Sequence, residues 1–92
     1  MNGAEVKRAH AAVLRLLALR ADQATLCPSE VARAFVEEVA TGTSALSWRD
    51  AMPIVHVAVD RLLKEGSIQL LWKGKARTVR SGPYRIRRAN PG

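Results

Sequence analysis

The stretch SWRDAMPIVHVAVDRLLKEG, residues 47–66, determines how the rest of the chain can fold. Its apolar side chains recur at steps of three and four residues, which predicts one long helix, the third of the chain. Ser47 followed by Asp50 fits a capping box at the start, and Gly66 suits the C′ position at the end. Pro53 is expected to bend this helix, because proline removes one backbone hydrogen bond. The stripe predicted to face the core comprises Trp48, Ala51, Met52, Val55, Val59, Leu62 and Leu63.

Two further helices are predicted before this stretch. Residues 5–21 show helical periodicity. A second helix is expected to start either with Pro28 in its first turn or with Ser29 as its N-cap, and to run to about residue 39. Residues 40–46, ATGTSAL, break the periodicity and are predicted to form a loop.

After the third helix, alternating side chains predict strands at residues 67–72 and 84–88, joined by a basic loop at residues 73–83. One hairpin alone is marginally stable, so it must pack against the helices. The predicted fold class is therefore α+β: a winged helix-turn-helix of three helices followed by a two-stranded β-hairpin, the wing. The order lacks the short strand that many such folds place after their first helix. Residues 1–92 are expected to form a single domain with an ordered core at about residues 5–88.

The net charge of +7 is unevenly distributed along the chain. Residues 1–65 hold eight basic and eight acidic side chains, whereas residues 66–92 hold seven basic and no acidic ones. A basic segment of this kind indicates a polyanionic partner, most often nucleic acid. A solubilising surface is the alternative, but such surfaces usually interleave both signs.

Several other classes of protein are disfavoured by the sequence. The single cysteine, Cys27, excludes an internal disulfide and favours a reducing, cytoplasmic location. Arg15 and Arg20 interrupt the longest apolar run near the N-terminus, which predicts no membrane span and no signal peptide. Cys27, His10 and His56 lack metal-ligand spacing, and no phosphate loop or nucleophile motif occurs. We therefore expect no enzyme, no cofactor and no metal.

Three segments resemble a family of small bacterial domains of unknown function: CPSEVARAF from Cys27, WRDAMPIVHVAVDRLLKEGSI from Trp48, and GPYRIRR from Gly82. The family motifs are C-P-S-x-V-A-R, W-R-x-x-M-P-x-V-R and G-P-Y/I-R-I/L, and the resemblance spans roughly residues 8–88. It implies a winged-helix fold and no established activity. The chain departs from the family at His56, where arginine usually follows M-P-x-V. If that arginine contacts phosphate, the contact here would be weaker and pH-sensitive.

The candidate nucleic-acid-binding residues lie mainly on the predicted wing. Cations on a loop can follow a phosphate backbone and release its counterions, and two arginines on the outer side of the last strand extend the patch. On the third helix, basic side chains in the N-terminal half could reach a major groove, while Asp60 would repel phosphate. Trp48 is expected in the core, and the role of Trp72 at the base of the wing stays open. The candidates are Arg33, Arg49, His56, Lys73, Lys75, Arg77, Arg80, Arg85 and Arg87.

The predicted function is binding of double-stranded DNA, as in a transcription regulator. The third helix would approach the major groove, and the wing would contact the backbone or minor groove. RNA is a less favoured partner that composition does not distinguish from DNA. The alternative is a protein-interaction module, in which exposed apolar groups such as Ile54, Val57 and Leu71 carry the contacts. Monomer and homodimer both stay open.

Overall fold

The computed structural model describes residues 3–21, 24–39, 47–80 and 82–89. Three helices are followed by three strands, which confirms the α+β class; the predicted loop at residues 40–46 lies outside the described residues. The elements are α1 (Gly3–Ala18), α2 (Pro28–Val39), α3 (Trp48–Glu65), β1 (Ile68–Trp72), β2 (Lys75–Arg77) and β3 (Arg85–Arg88).

Both ends of α3 are capped as the sequence predicts. The Ser47 hydroxyl accepts a hydrogen bond of 3.2 Å from the backbone N–H of Asp50, which satisfies a donor that the first turn leaves unpaired. At the other end Gly66 adopts a left-handed φ of 77°, and the N–H of Ser67 donates to the Leu62 carbonyl at 3.1 Å. These caps fix where the helix ends and the sheet begins.

The three helices bury a common aliphatic core around Phe35, which is fully inaccessible to solvent. Burial of Val55, Val59 and Leu62 confirms the inward stripe of α3. Ile54, assigned to an exposed surface in the protein-interaction alternative, is only 8% exposed, so that assignment is wrong. The helix shares its buried face between two neighbours, α1 and α2, and the buried arc is therefore wider than one stripe. The buried residues of α3 are Ala51, Ile54, Val55, Ala58, Val59 and Leu62.

The sheet has three antiparallel strands in the order β2-β1-β3, rather than the two predicted. The additional strand, β2, lies inside the segment predicted to be a basic loop. It forms because the chain reverses at Lys73 and Gly74, which places Lys75 directly opposite Trp72 and Arg77 opposite Leu70. Residues 68–77 are named the β1–β2 hairpin below.

The connection between α1 and α2 also contacts the sheet. Leu26 forms an isolated antiparallel bridge with Ile86 of β3, with backbone hydrogen bonds of 2.7 and 2.8 Å. No strand lies between α1 and α2 in the described residues, as the predicted order has it, and Leu26 contributes a single bridge residue. The side chain of Arg88 adds a bond of 2.6 Å to the Leu17 carbonyl, near the end of α1. Together these contacts join the helices to β3.

Candidate nucleic-acid interface

The turn of the β1–β2 hairpin presents the first of the candidate cations. Lys73 has a φ of 54° and Gly74 a φ of 81°, so both turn residues are left-handed, as in the type I′ turns that suit two-residue hairpins. Glycine is common at such positions because it lacks the Cβ atom, which costs about 1 kcal/mol there, and asparagine is common because its short polar side chain can form local hydrogen bonds. A lysine at this position therefore exposes a cation at the tip of the hairpin at a cost in backbone energy.

Lys75 and Arg77 continue this group along β2. Both side chains are exposed, and because side chains alternate along a strand they project from the same face of the sheet. Within the described ranges no ion pair involves Lys73, Lys75 or Arg77. Three cations within five residues of chain thus lie together with no carboxylate bound to them in that part of the protein.

The arginines of β3 are arranged differently, because each one donates to an acceptor within the protein. Arg85 Nε donates to the Thr25 hydroxyl at 2.7 Å, and Arg87 donates to the side-chain carbonyl of Gln69 at 2.7 Å. Arg85 and Arg87 alternate with the buried Ile86, so they lie on the face of the sheet turned away from the core. Thr25 and Gln69 are neutral acceptors, so these two hydrogen bonds hold the arginine side chains without neutralising their charge.

The polar face of α3 contacts the segment that connects β2 to β3. Arg80 forms a two-point contact with the Asp60 carboxylate, Nε to Oδ1 at 3.0 Å and Nη2 to Oδ2 at 3.3 Å. One turn earlier along α3, Nδ1 of His56 and the Tyr84 hydroxyl are joined by a hydrogen bond of 2.7 Å. The segment therefore crosses the face that carried the predicted major-groove contacts. His56 and Arg80, both candidates, each bind a partner within the protein.

Burial keeps the His56–Tyr84 pair uncharged near neutral pH. Desolvation, assisted by the nearby Arg80 cation, lowers the pKa of His56 below its ordinary value of 6.5, while Asp60 opposes this shift. Desolvation also raises the pKa of the Tyr84 phenol. The hydrogen bond to Asp60 raises the pKa of Arg80, which stays protonated. A neutral histidine supplies no positive charge to this face of α3.

A second group of cations lies at the start of α3. The guanidinium carbon of Arg33, on α2, is 4.9 Å from the centre of the Trp48 ring, and that of Arg49 is 5.2 Å from it. These are cation–π distances. Trp48 is half-buried and packs on the core as predicted, while both arginines are exposed. One indole therefore orients two guanidinium groups from different helices.

The described part of the protein also contains an apolar cleft of about 420 Å³ that sequence reasoning did not identify. It is formed by the start of α2, the middle of α3, the end of β1 and the chain entering β3. These segments are distant in sequence, so no local pattern predicts the cleft. Trp72, whose role the sequence left open, is one of its lining residues. The lining residues are Cys27, Pro28, Met52, His56, Trp72, Gly82, Pro83, Tyr84 and Arg85.

The nine candidate residues thus fall into three sets. Arg33 and Arg49 lie together at Trp48, and the hairpin carries Lys73, Lys75 and Arg77. The remaining four bind acceptors within the protein: His56, Arg80, Arg85 and Arg87.

The described residues contain neither a metal-ligand cluster nor a membrane-spanning helix. Within those ranges no group of three His, Cys, Asp or Glu side chains is placed to hold a metal ion. No helix there combines the length and hydrophobicity needed to cross a bilayer.

Comparison with known proteins identifies a family. Residues 6–89 match the family described as Protein of unknown function (DUF3253). The match covers most of the chain, so the protein belongs to this family. No curated protein matches the chain.

Proposed function

We propose that this member of the family is a nucleic-acid-binding module with a winged-helix arrangement, and that double-stranded DNA is its partner. The β1–β2 hairpin acts as the wing and contacts the phosphate backbone. The first turn of α3 approaches the major groove with Arg49, supported by Arg33 from α2. The protein acts in the cytoplasm as a binding module, as a transcription regulator does, and carries out no catalysis.

The order of elements supports the winged-helix part of this proposal. Three helices precede an antiparallel sheet, and a hairpin directly follows the third helix. The bridge between Leu26 and Ile86 supplies the extended segment that such folds place between their first two helices. Because fold alone does not define function, the proposal depends on the charges that this arrangement carries.

The observation that carries the functional proposal is the lysine at the hairpin turn. Lys73 adopts a left-handed conformation that asparagine or glycine would adopt at lower energy. With Lys75 and Arg77 it forms an exposed cationic edge without a bound carboxylate in the described ranges. Cations that follow a phosphate backbone release condensed counterions, which gives affinity without base contacts. An exposed cation at a position that costs backbone energy supports a phosphate-binding role for the hairpin.

We restrict the proposed recognition contact to the start of α3. Arg80 and Tyr84 engage Asp60 and His56, so the C-terminal half of the polar face is in contact with the protein's own chain. Arg49 lies beyond this contact, in the first turn. We therefore assign the helix contact to Arg49, and we assign Arg80 to holding the connection in place.

The test is a salt titration of binding to random duplex DNA with two matched variants. The first replaces Lys73, Lys75 and Arg77 with alanine, and the second replaces three cations of the helical part, Lys7, Arg8 and Arg61. Both variants lose three positive charges from the initial +7. We expect the hairpin variant to bind about a hundredfold more weakly near 0.1 M salt, with a salt slope smaller by about 2.7.

The control variant is expected to keep most of the affinity and slope, because its charges act only through the long-range field. Equal losses in the two variants would show that net charge alone drives binding. No binding of the unmodified protein to duplex DNA, single-stranded DNA or structured RNA at about 50 mM salt would refute the proposal and favour the protein-interaction alternative.

One observation favours that alternative. Leu14 and Leu19, on and just after α1, are 41% and 79% exposed. Exposed leucines close together can form part of a protein contact. Replacing both with glutamine would weaken such a contact and leave DNA binding unchanged.

A further inference from the structure

The apolar cleft next to Trp72 has no role in backbone binding, yet it has the size of a ligand site. Its volume of about 420 Å³ lies in the range of small-molecule pockets. Aromatic and aliphatic groups dominate its walls: Met52 from α3, Trp72 from the end of β1, and Pro83 and Tyr84 from the chain entering β3. Trp72 is half-buried, so part of the indole faces the cleft or solvent.

Cations lie around this cleft. Lys75 is directly opposite Trp72 on the neighbouring strand, and residues paired in this way project from the same face of a sheet. On α3, Arg49 precedes the lining residue Met52 by three residues, a spacing that places two side chains side by side on a helix. Arg85 itself forms part of the lining. The aromatic lining of the cleft thus lies close to positive groups on β2, α3 and β3.

We propose that the cleft receives an unstacked nucleobase of a bound nucleic-acid strand. This inference rests on the proposed function: the hairpin holds the phosphate backbone of the duplex, and the cleft receives a base where that DNA presents an unpaired nucleotide. The cations on either side hold the flanking phosphates, and the base stacks on Trp72. Aromatic platforms combined with cationic grooves are how proteins bind single strands.

The chemistry of the cleft also predicts limited base selectivity. Every base has a π-face, and stacking on an indole discriminates among bases only weakly. The polar groups nearby are already engaged: His56 binds Tyr84, and the Cys27 thiol lies 3.1 Å from the Ser29 hydroxyl. Few donors are therefore left to read a base edge, and binding is expected to depend on strand flexibility more than on sequence.

The experiment uses the full chain and three probes of equal length: oligo-dT, oligo-U and duplex DNA. The chain has two tryptophans, so the Trp48→Phe variant leaves Trp72 as the single indole emitter. We expect both single strands to quench Trp72 fluorescence on binding and the fully paired duplex to do so far less. A difference between oligo-dT and oligo-U would show whether the strand is preferred as DNA or RNA.

A matched pair of substitutions at Trp72 separates stacking from folding. Trp72→Phe keeps an aromatic ring, and Trp72→Leu keeps an apolar side chain without one. We expect the leucine variant to bind single strands about tenfold more weakly and the phenylalanine variant about two- to threefold, with duplex affinity unchanged in both. Thermal melting of each variant confirms that the comparison concerns folded protein.

The outcomes distinguish this inference from the proposed function. Absence of binding to all three probes would overturn both. Binding with unquenched Trp72, or with leucine and phenylalanine variants that bind single strands equally well, would overturn the base-binding cleft and leave backbone binding intact. If the leucine variant does not fold, the inference is tested by the Trp48→Phe protein alone: quenching of Trp72 fluorescence by single strands supports it, and unquenched fluorescence on binding overturns it.

Discussion

The β1–β2 hairpin and strand β3 carry the same number of cations and use them in different ways. Lys73, Lys75 and Arg77 project from the hairpin without an ion pair in the described ranges. The arginines of β3 instead donate to Thr25, Gln69 and the Leu17 carbonyl. In the sequence the two sets form one continuous basic segment. In the structure they differ, because the β3 arginines donate hydrogen bonds to these acceptors and the hairpin cations form no ion pair in the described ranges.

Whether a cation contributes to stability or to binding depends on which groups its side chain already contacts. The hydrogen bonds to Thr25, Gln69 and the Leu17 carbonyl use neutral acceptors, so these bonds do not neutralise the charge that the arginines add to the field around the protein. Their guanidinium groups are nevertheless committed to holding the sheet and helices together. We therefore assign stability mainly to Arg87 and Arg88 of β3, and contact with the phosphate backbone mainly to the hairpin.

Replacing Arg88 with methionine should lower the free energy of unfolding by about 2 kcal/mol, because a charged donor to the Leu17 carbonyl is lost near the end of α1. Urea unfolding gives the change. Arg88→Lys serves as the control, since it keeps a cation with a different reach. DNA affinity measured on the folded fraction is expected to stay nearly constant. A large loss of affinity at unchanged stability would place Arg88 with the hairpin cations instead.

Replacing Lys73 with asparagine should change stability and binding in opposite directions. Asparagine tolerates the left-handed conformation better, so we expect a gain of about 0.5 kcal/mol in the free energy of unfolding. The loss of one phosphate contact should reduce DNA affinity about fivefold and the salt slope by about 0.9. Melting curves and the salt titration measure the two effects. Lys75→Gln, at a regular strand position, should lower DNA affinity and the salt slope without raising the free energy of unfolding.

Replacing Asp60 with asparagine should strengthen DNA binding about twofold, because it removes a negative charge and releases Arg80 from its carboxylate. The cost in stability is expected to be under about 1 kcal/mol, since both side chains are partly exposed. In the Asp60→Asn, Arg80→Ala double variant the gain in affinity should disappear. A gain that persists would show that Arg80 is not its source.

The smallest expected effect is the pH dependence from His56. Its pKa is lowered in the folded state, so the unfolded chain binds the proton more readily and stability rises with pH in the interval just below 6.5. Stability is thus lost as the pH falls through that interval towards the folded pKa. His56→Gln should remove this part of the pH dependence of stability. Urea unfolding midpoints measured at about pH 5 and about pH 7.5 would therefore differ less in the variant than in the unmodified protein. Identical pH profiles for both proteins would contradict the assignment.

The helices could be predicted from the sequence because their signals are local. Caps at Ser47 and Gly66 and an apolar stripe lie within one stretch of chain, and each was confirmed. Strand β2 was missed because its three residues are all exposed and show no apolar alternation. Its pairing depends on a turn at Lys73 and on a partner strand, neither of which appears in its own composition.

The candidate site was predicted only as far as charge and residue type allow. The basic segment and Arg49 could be identified from the sequence, because their signals are spacing and charge. The partners could not be predicted: Asp60 is 20 residues from Arg80, and Tyr84 is 28 residues from His56. Contacts at such separations depend on how the sheet lies on α3. Trp48 was correctly expected to pack on the core, but not to orient two arginines.

The strand order β2-β1-β3 leaves β2 at an edge of the sheet among the described residues. An edge strand offers unpaired backbone groups to a second copy of the chain, and exposed charge is a common protection against such pairing. Two copies joined through β2 would bring Lys75 and Arg77 of one next to those of the other, and the repulsion opposes this contact. A polyanion that neutralises these cations removes the repulsion. Self-association along β2 should therefore depend on bound nucleic acid and be weakest in its absence.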